Sequence, residues 1–104
     1  MHYVLLAEHD AQVCPTGNAR TREAMVKGAG EIPSLAKKHG VKIVAGPFVN
    51  REHLMVTVVE CERSEQLDKF IFDSRLEQWN SVRILPSQTM EAGLKELDQA
   101  PTLF

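Results

Sequence analysis

The segment Leu54-Met55-Val56-Thr57-Val58-Val59-Glu60 is apolar at five of its seven positions, and both of its alternating faces are apolar. Side chains alternate across a strand, so Leu54, Val56 and Val58 point one way and Met55, Thr57 and Val59 the other. The start of the chain behaves alike, with Tyr3, Leu5 and Ala7 opposing Val4 and Leu6. A strand with one face in water alternates apolar and polar residues. These two segments therefore demand a sheet covered on both sides, and that demand constrains the fold more than any other feature.

The rest of the chain supplies cover for one side. Tyr3 to Ala7 reads as a strand and residues 8–18 as a loop containing Pro15 and Gly17. Residues 19–39 have helical spacing, with Met25, Ala29, Ile32 and Leu35 near one face and Asn18 or Thr21 as the cap. Gly28, Gly30 and Pro33 predict a kink or break near Gly30, and Gly40 a left-handed end. Val41 to Ala45 is a short strand closed by Gly46-Pro47, and residues 49–53 are a turn. After the strand 54–60, Ser64 is placed to cap a helix from Glu65 to about Asp73, burying Leu67, Phe70 and Ile71. Val82 to Leu85 is a fourth strand closed by Pro86, and Ser87 is placed to cap a last helix using Met90, Leu94 and Leu97. Leu103 and Phe104 are free to dock, and Met25, Met55 and Met90 read as core filling.

The order β-α-β-β-α-β-α predicts an α+β, ferredoxin-like domain over residues 1–104, ordered over about 3–98. Its antiparallel sheet has the strand order 4-1-3-2, with both main helices on one face. The last helix is one cover for the other face. A second copy's sheet, meeting it across a two-fold axis, is the better one, because an apolar face of that size is too large to leave in water.

Composition excludes some functions. The net charge of −2 leaves no basic excess to hold a phosphate backbone, so no nucleic-acid partner is expected. Residues 1–7 are too short to span a membrane and lack a basic flank, and Cys14 and Cys61 have no framework spacing. A cytoplasmic protein with reduced thiols and no membrane partner is the expectation. The P-loop, G-x-G-x-x-G, H-E-x-x-H and G-x-S-x-G motifs are all missing.

The topology gathers one set of reactive residues. With strands one and three antiparallel, His9 just past the first and His53 just before the third share one edge of the sheet. Cys14-Pro15 leaves strand one toward the first helix, and Trp79 approaches the same edge ahead of strand four. A thiol near a helix N-terminus has a lowered pKa. Two imidazoles and a thiolate suit zinc, copper or iron. The same set, without metal, offers His9 as a base, with Glu8 or Asp10 nearby, and Cys14 as a nucleophile or acid. Plain readings stand beside these: His53 as a strand-entry residue, Cys14 as small inward packing, Cys61 as structural, and His2 and His39 as surface residues. Arg51 and Arg75 are candidate anion contacts that nothing in the sequence singles out.

Tyr3-Val4-Leu5-Leu6-Ala7, Val44-Ala45-Gly46-Pro47 and Leu54–Glu60 resemble the dimeric α+β barrel superfamily, which includes muconolactone isomerase-like proteins, antibiotic-biosynthesis monooxygenases and YCII-related proteins. Cys14-Pro15 and Glu52-His53 are similar to a small branch within it. The resemblance implies a homodimer with a cleft between sheet and helices in each subunit. It implies a small apolar, aromatic or polyketide-like ligand there, sometimes with haem as cofactor, and isomerase- or monooxygenase-like activity. In the YCII-related proteins a histidine and an aspartate act in that region, where this chain has His9-Asp10. A non-catalytic ligand-binding dimer, or a regulatory module using the loop 8–18, is the alternative.

Overall fold

In the computed structural model, which describes residues 1–104, four strands and three helices follow one another as β1 (His2–Glu8), α1 (Ala19–His39), β2 (Lys42–Phe48), β3 (Leu54–Glu60), α2 (Ser64–Asp73), β4 (Ser81–Ser87) and α3 (Met90–Leu97). Short 3-10 turns occupy Ala11–Val13 and Leu76–Gln78. The sheet runs β2-β3-β1-β4, and every neighbouring pair is antiparallel. This is the expected interleaving of two βαβ halves.

Register settles which side chains share a face. Tyr3 pairs with Val59 and Pro86, Leu5 with Thr57 and Ile84, Ala7 with Met55 and Val82. This is the face under α1 and α2, where Tyr3, Leu5, Ala7, Met55 and Val59 are buried. Leu67, Phe70 and Ile71 of α2 close over it, as the helical spacing predicts, and Leu67 and Val59 are fully sealed. The opposite face carries Val4, Leu6, Val56, Val58 and Leu85 in register. No helix reaches it: Val4, Leu6, Val56 and Val58 are half-buried by their neighbours alone, and Leu85 is exposed.

Several local expectations are corrected. Helix α1 runs unbroken through Gly30 and Pro33. Both residues are exposed, so water can satisfy the carbonyl that a proline N–H would have bonded. Asn18 is its cap, accepting from the Thr21 amide at 3.0 Å, and Gly40 ends it at φ 68°. Strand β2 does not stop at Gly46-Pro47 but bulges through it to Phe48. Gly46 has φ 87°, and a Cβ there would meet the Val56 carbonyl at 2.6 Å. Strand β4 likewise continues past Pro86, which an edge strand tolerates because its outer side needs no donor. Arg63, not Ser64, precedes α2, its amide donating to Gln66 Oε1 at 3.0 Å, and Thr89, not Ser87, caps α3. His39 is no plain surface residue: its Nε2 meets Asp73 Oδ2 at 2.6 Å and ties the end of α1 to the end of α2.

The last helix is the largest departure. No residue of α3 is buried. Met90 is 78% exposed and so is not core, and Leu94, Leu97, Leu103 and Phe104 are exposed too, so neither helix nor tail docks. The chain is consequently long, 53 × 31 × 18 Å, with a radius of gyration of 16.0 Å where about 13 Å is usual for this length. No helix is long and apolar enough to cross a membrane.

Candidate metal and thiolate site

The end of the sheet opposite the chain start is built by register. Glu8 pairs with Leu54 on one side and with Ser81 on the other, so the next residues in line are His53, His9 and Asn80. The His9 amide donates to the His53 carbonyl at 3.1 Å, extending the ladder by one step. His53 is set by the preceding turn. Asn50 Oδ1 accepts from the amides of Glu52 and Leu54, and Asn50 Nδ2 donates to the Leu54 carbonyl at 2.7 Å. His53 itself sits at φ 59°, a left-handed setting that a non-glycine residue takes at a cost.

Cys14 arrives from the loop between β1 and α1. Its carbonyl accepts from the amides of Gly17 and Asn18, which folds the loop back before the helix begins. Arg22 on the first turns of α1 pins the same loop, donating from Nε to the Pro15 carbonyl at 2.9 Å and from Nη2 to the Thr16 carbonyl at 2.7 Å. Cys14 is thereby held 8% exposed, and the donor atoms of His9, Cys14 and His53 lie within 4.8 Å of one another. The three residues that the topology predicts to converge do converge. Trp79 joins them as expected, its ring centroid 5.1 Å from that of His9, and the His53 ring is edge-on to His9 at 5.3 Å.

The hydrogen bonds fix the orientation of the His9 ring. Asn80 Nδ2 donates to the Leu76 carbonyl at 3.1 Å, which turns Asn80 Oδ1 toward the imidazole. His9 Nδ1 lies 3.0 Å from that oxygen and must be the donor. The other ring nitrogen, Nε2, is buried and has no hydrogen-bond partner. An unpartnered buried nitrogen is costly unless something fills the place. Asp10 and Glu8 are both exposed and neither bonds the ring; the expected histidine–acid pairing is replaced by His9–Asn80. Asn80 is the residue that sequence reasoning missed. It was hidden because the sequence reading starts the fourth strand at Val82, whereas the alignment of Asn80 with His9 needs the strand to begin at Ser81.

The Cys14 thiol is lowered from 9.0 to about 6. The main cause is a hydrogen bond from the Thr16 hydroxyl, whose oxygen is 3.1 Å from Sγ, then the Thr16 amide, with His9 and His53 adding less. The expected cause, the helix dipole, is not the leading one. Cys61 is the opposite case: its buried side chain is pushed up by desolvation, in keeping with a structural role.

Against these observations the donor set fits a borderline or soft ion. Two imidazoles and a thiolate, with no carboxylate among them, suit zinc or copper and not magnesium or calcium. Zinc bonds of about 2.0–2.3 Å place tetrahedral donors about 3.5 Å apart, so side-chain adjustments suffice to close the cluster. Haem does not fit. The apolar cleft beneath α1 has a volume near 190 Å³, far below that of a porphyrin, and none of the three donors lines it. Trp79 stands between the cleft and His9, as a wall common to both. No protein-family model, curated protein or solved structure matches the chain.

Proposed function

We propose that this chain is a small-molecule-binding protein of the dimeric α+β barrel type whose reactive centre is a mononuclear metal site formed by His9, Cys14 and His53. The observation that carries the reading is the buried, unpartnered Nε2 of His9. His9 belongs to a cluster with the Cys14 thiol and a second imidazole, the three donor atoms lying within 4.8 Å of one another. Asn80 supports it as the partner that a metal-ligating histidine commonly has on its other nitrogen. Three protein donors leave one tetrahedral position for water or substrate, which is the pattern of catalytic rather than structural zinc. When bound, the ion supplies Lewis acidity at that position. The chain's own residues do the rest: Thr16 holds Cys14 ionised, Asn80 holds the His9 tautomer, and Trp79 walls the site toward the apolar cleft.

A metal-free version rests on the same geometry. His9 Nε2 would take the Cys14 proton, and the thiolate, already favoured by Thr16, would be a nucleophile. The dimer belongs to the proposal because the apolar face of Val4, Leu6, Val56 and Val58 has no cover within one chain. The alternative is a binding module without catalysis, in which the centre is structural.

Native mass spectrometry of protein purified without a histidine tag tests the metal. One zinc ion per chain is expected, and Asn80→Ala should weaken zinc about 10–100-fold through loss of the His9 orientation. An equal zinc affinity in His53→Ala would remove the metal reading and leave the thiolate one.

A further inference from the structure

Helix α1 turns two adjacent stripes toward the sheet end. Met25 and Ile32 line the apolar cleft, together with Leu5 and Met55 of the sheet, Phe70 of α2 and Leu76 of the turn after it. One step around the helix, Arg20, Ala24, Lys27 and Glu31 recur at spacings of four, three and four. They line a second, polar cavity of about 270 Å³ whose far wall is Arg75 and Gln78. The two cavities share Ala24, Gly28, Ser74 and Trp79, so they are one continuous depression with a greasy floor and a charged rim. Small residues keep the junction open. A Cβ on Gly28 would meet nothing closer than the Ser74 carbonyl at 3.8 Å.

The rim holds three cations against one acid, Glu31. None of the four takes part in an ion pair, and no side chain among them makes a hydrogen bond. Arg75 is the unusual one. It occupies φ 61°, a left-handed position directly after α2 where glycine fits without strain, yet an arginine stands there with its side chain at the rim. Backbone strain retained beside a cavity points toward function. An apolar cavity of about 150 Å³ takes a benzene ring, so the 190 Å³ floor accommodates one ring or a branched chain of that size.

We infer that the joined cleft and rim bind a small amphipathic carboxylate, its ring or branched chain on the Met25–Ile32 side and its anion against Arg75, Arg20 and Lys27. This rests on the reading above that the chain binds a small molecule, and adds the cleft as its place and the ligand's chemical class. Guanidinium groups recognise carboxylates through paired, charge-assisted bonds, and Arg75 has no competing partner.

Trp79 lines both cavities and is the single tryptophan of the chain, so its fluorescence reports binding directly. Phenylacetate and its neutral isostere phenylacetamide are the probes. Phenylacetate should change the emission saturably and bind about tenfold tighter than the amide. Arg75→Gln should remove that preference, and Arg75→Lys should restore part of it. Arg75→Gly separates function from fold: relief of the left-handed strain should raise the melting temperature, while the carboxylate preference is still lost. Equal binding of acid and amide, or a preference that survives Arg75→Gln, would overturn the anion assignment and leave the cleft standing. Failure of both probes to bind would overturn the assignment together with the small-molecule reading.

Discussion

At the scale of single residues, the chemistry of the site turns on protons. Cys14 owes its low pKa to the Thr16 hydroxyl first, the Thr16 amide second and the histidines after them. In metal-free protein its ionisation should be centred near pH 6 rather than 9.0, read as thiolate absorbance in a Cys61→Ala background. Thr16→Val should move the midpoint up by about one unit or more. The linkage sign follows. A thiol whose folded pKa is depressed stabilises the fold fully above its unfolded value of 9.0, and that contribution is lost as pH falls through about 6. An alkylation rate that still rises only near pH 9.0 would contradict the Thr16 assignment. His39 and Asp73 form the other perturbed contact: the imidazole hydrogen bond holds the Asp73 carboxyl below its usual range, with Lys38 adding charge at 3.6 Å.

At the scale of elements, the inward pattern was legible because burial leaves a period in the sequence. The split of Met55, Thr57 and Val59 from Leu54, Val56 and Val58, and the inward set Leu67, Phe70 and Ile71, follow from alternation and helical spacing alone. So did the convergence of His9, Cys14 and His53, since antiparallel pairing of β1 with β3 fixes which ends meet. Element ends were less legible. Proline and glycine mark a stop only where their backbone is needed for pairing, and Pro33, Pro47 and Pro86 all lie where it is not: on an exposed helix face, at a bulge and on an edge strand. Asn80 and the true ends of β4 escaped together, because the register that aligns Asn80 with His9 depends on β4 beginning at Ser81. Leu67 carries the helix-to-sheet packing. Leu67→Ala should destabilise the protein by about 2–5 kcal/mol in denaturant unfolding at fixed protein concentration. A loss below about 1 kcal/mol would mean that α2 is not the element sealing the core.

At the scale of the whole molecule, one chain leaves two apolar surfaces uncovered: the sheet face of Val4, Leu6, Val56 and Val58, and the stripe of Met90, Leu94 and Leu97 on α3. The apolar pattern of both strand faces predicts a second cover, and α3 of the same chain has no buried residue. A two-fold pairing of sheet faces predicts a dimer by sedimentation velocity. Val58→Lys on that face should give a folded monomer or a soluble aggregate, while Lys42→Glu at the sheet edge should leave the dimer intact. The metal proposal stands apart from this and is tested most directly by cobalt(II) titration of the full chain. A thiolate-to-cobalt charge-transfer band should saturate at one ion per chain and disappear in both Cys14→Ala and His53→Ala. A band of undiminished intensity in Cys14→Ala, or no band in the unmodified protein, would contradict the metal proposal.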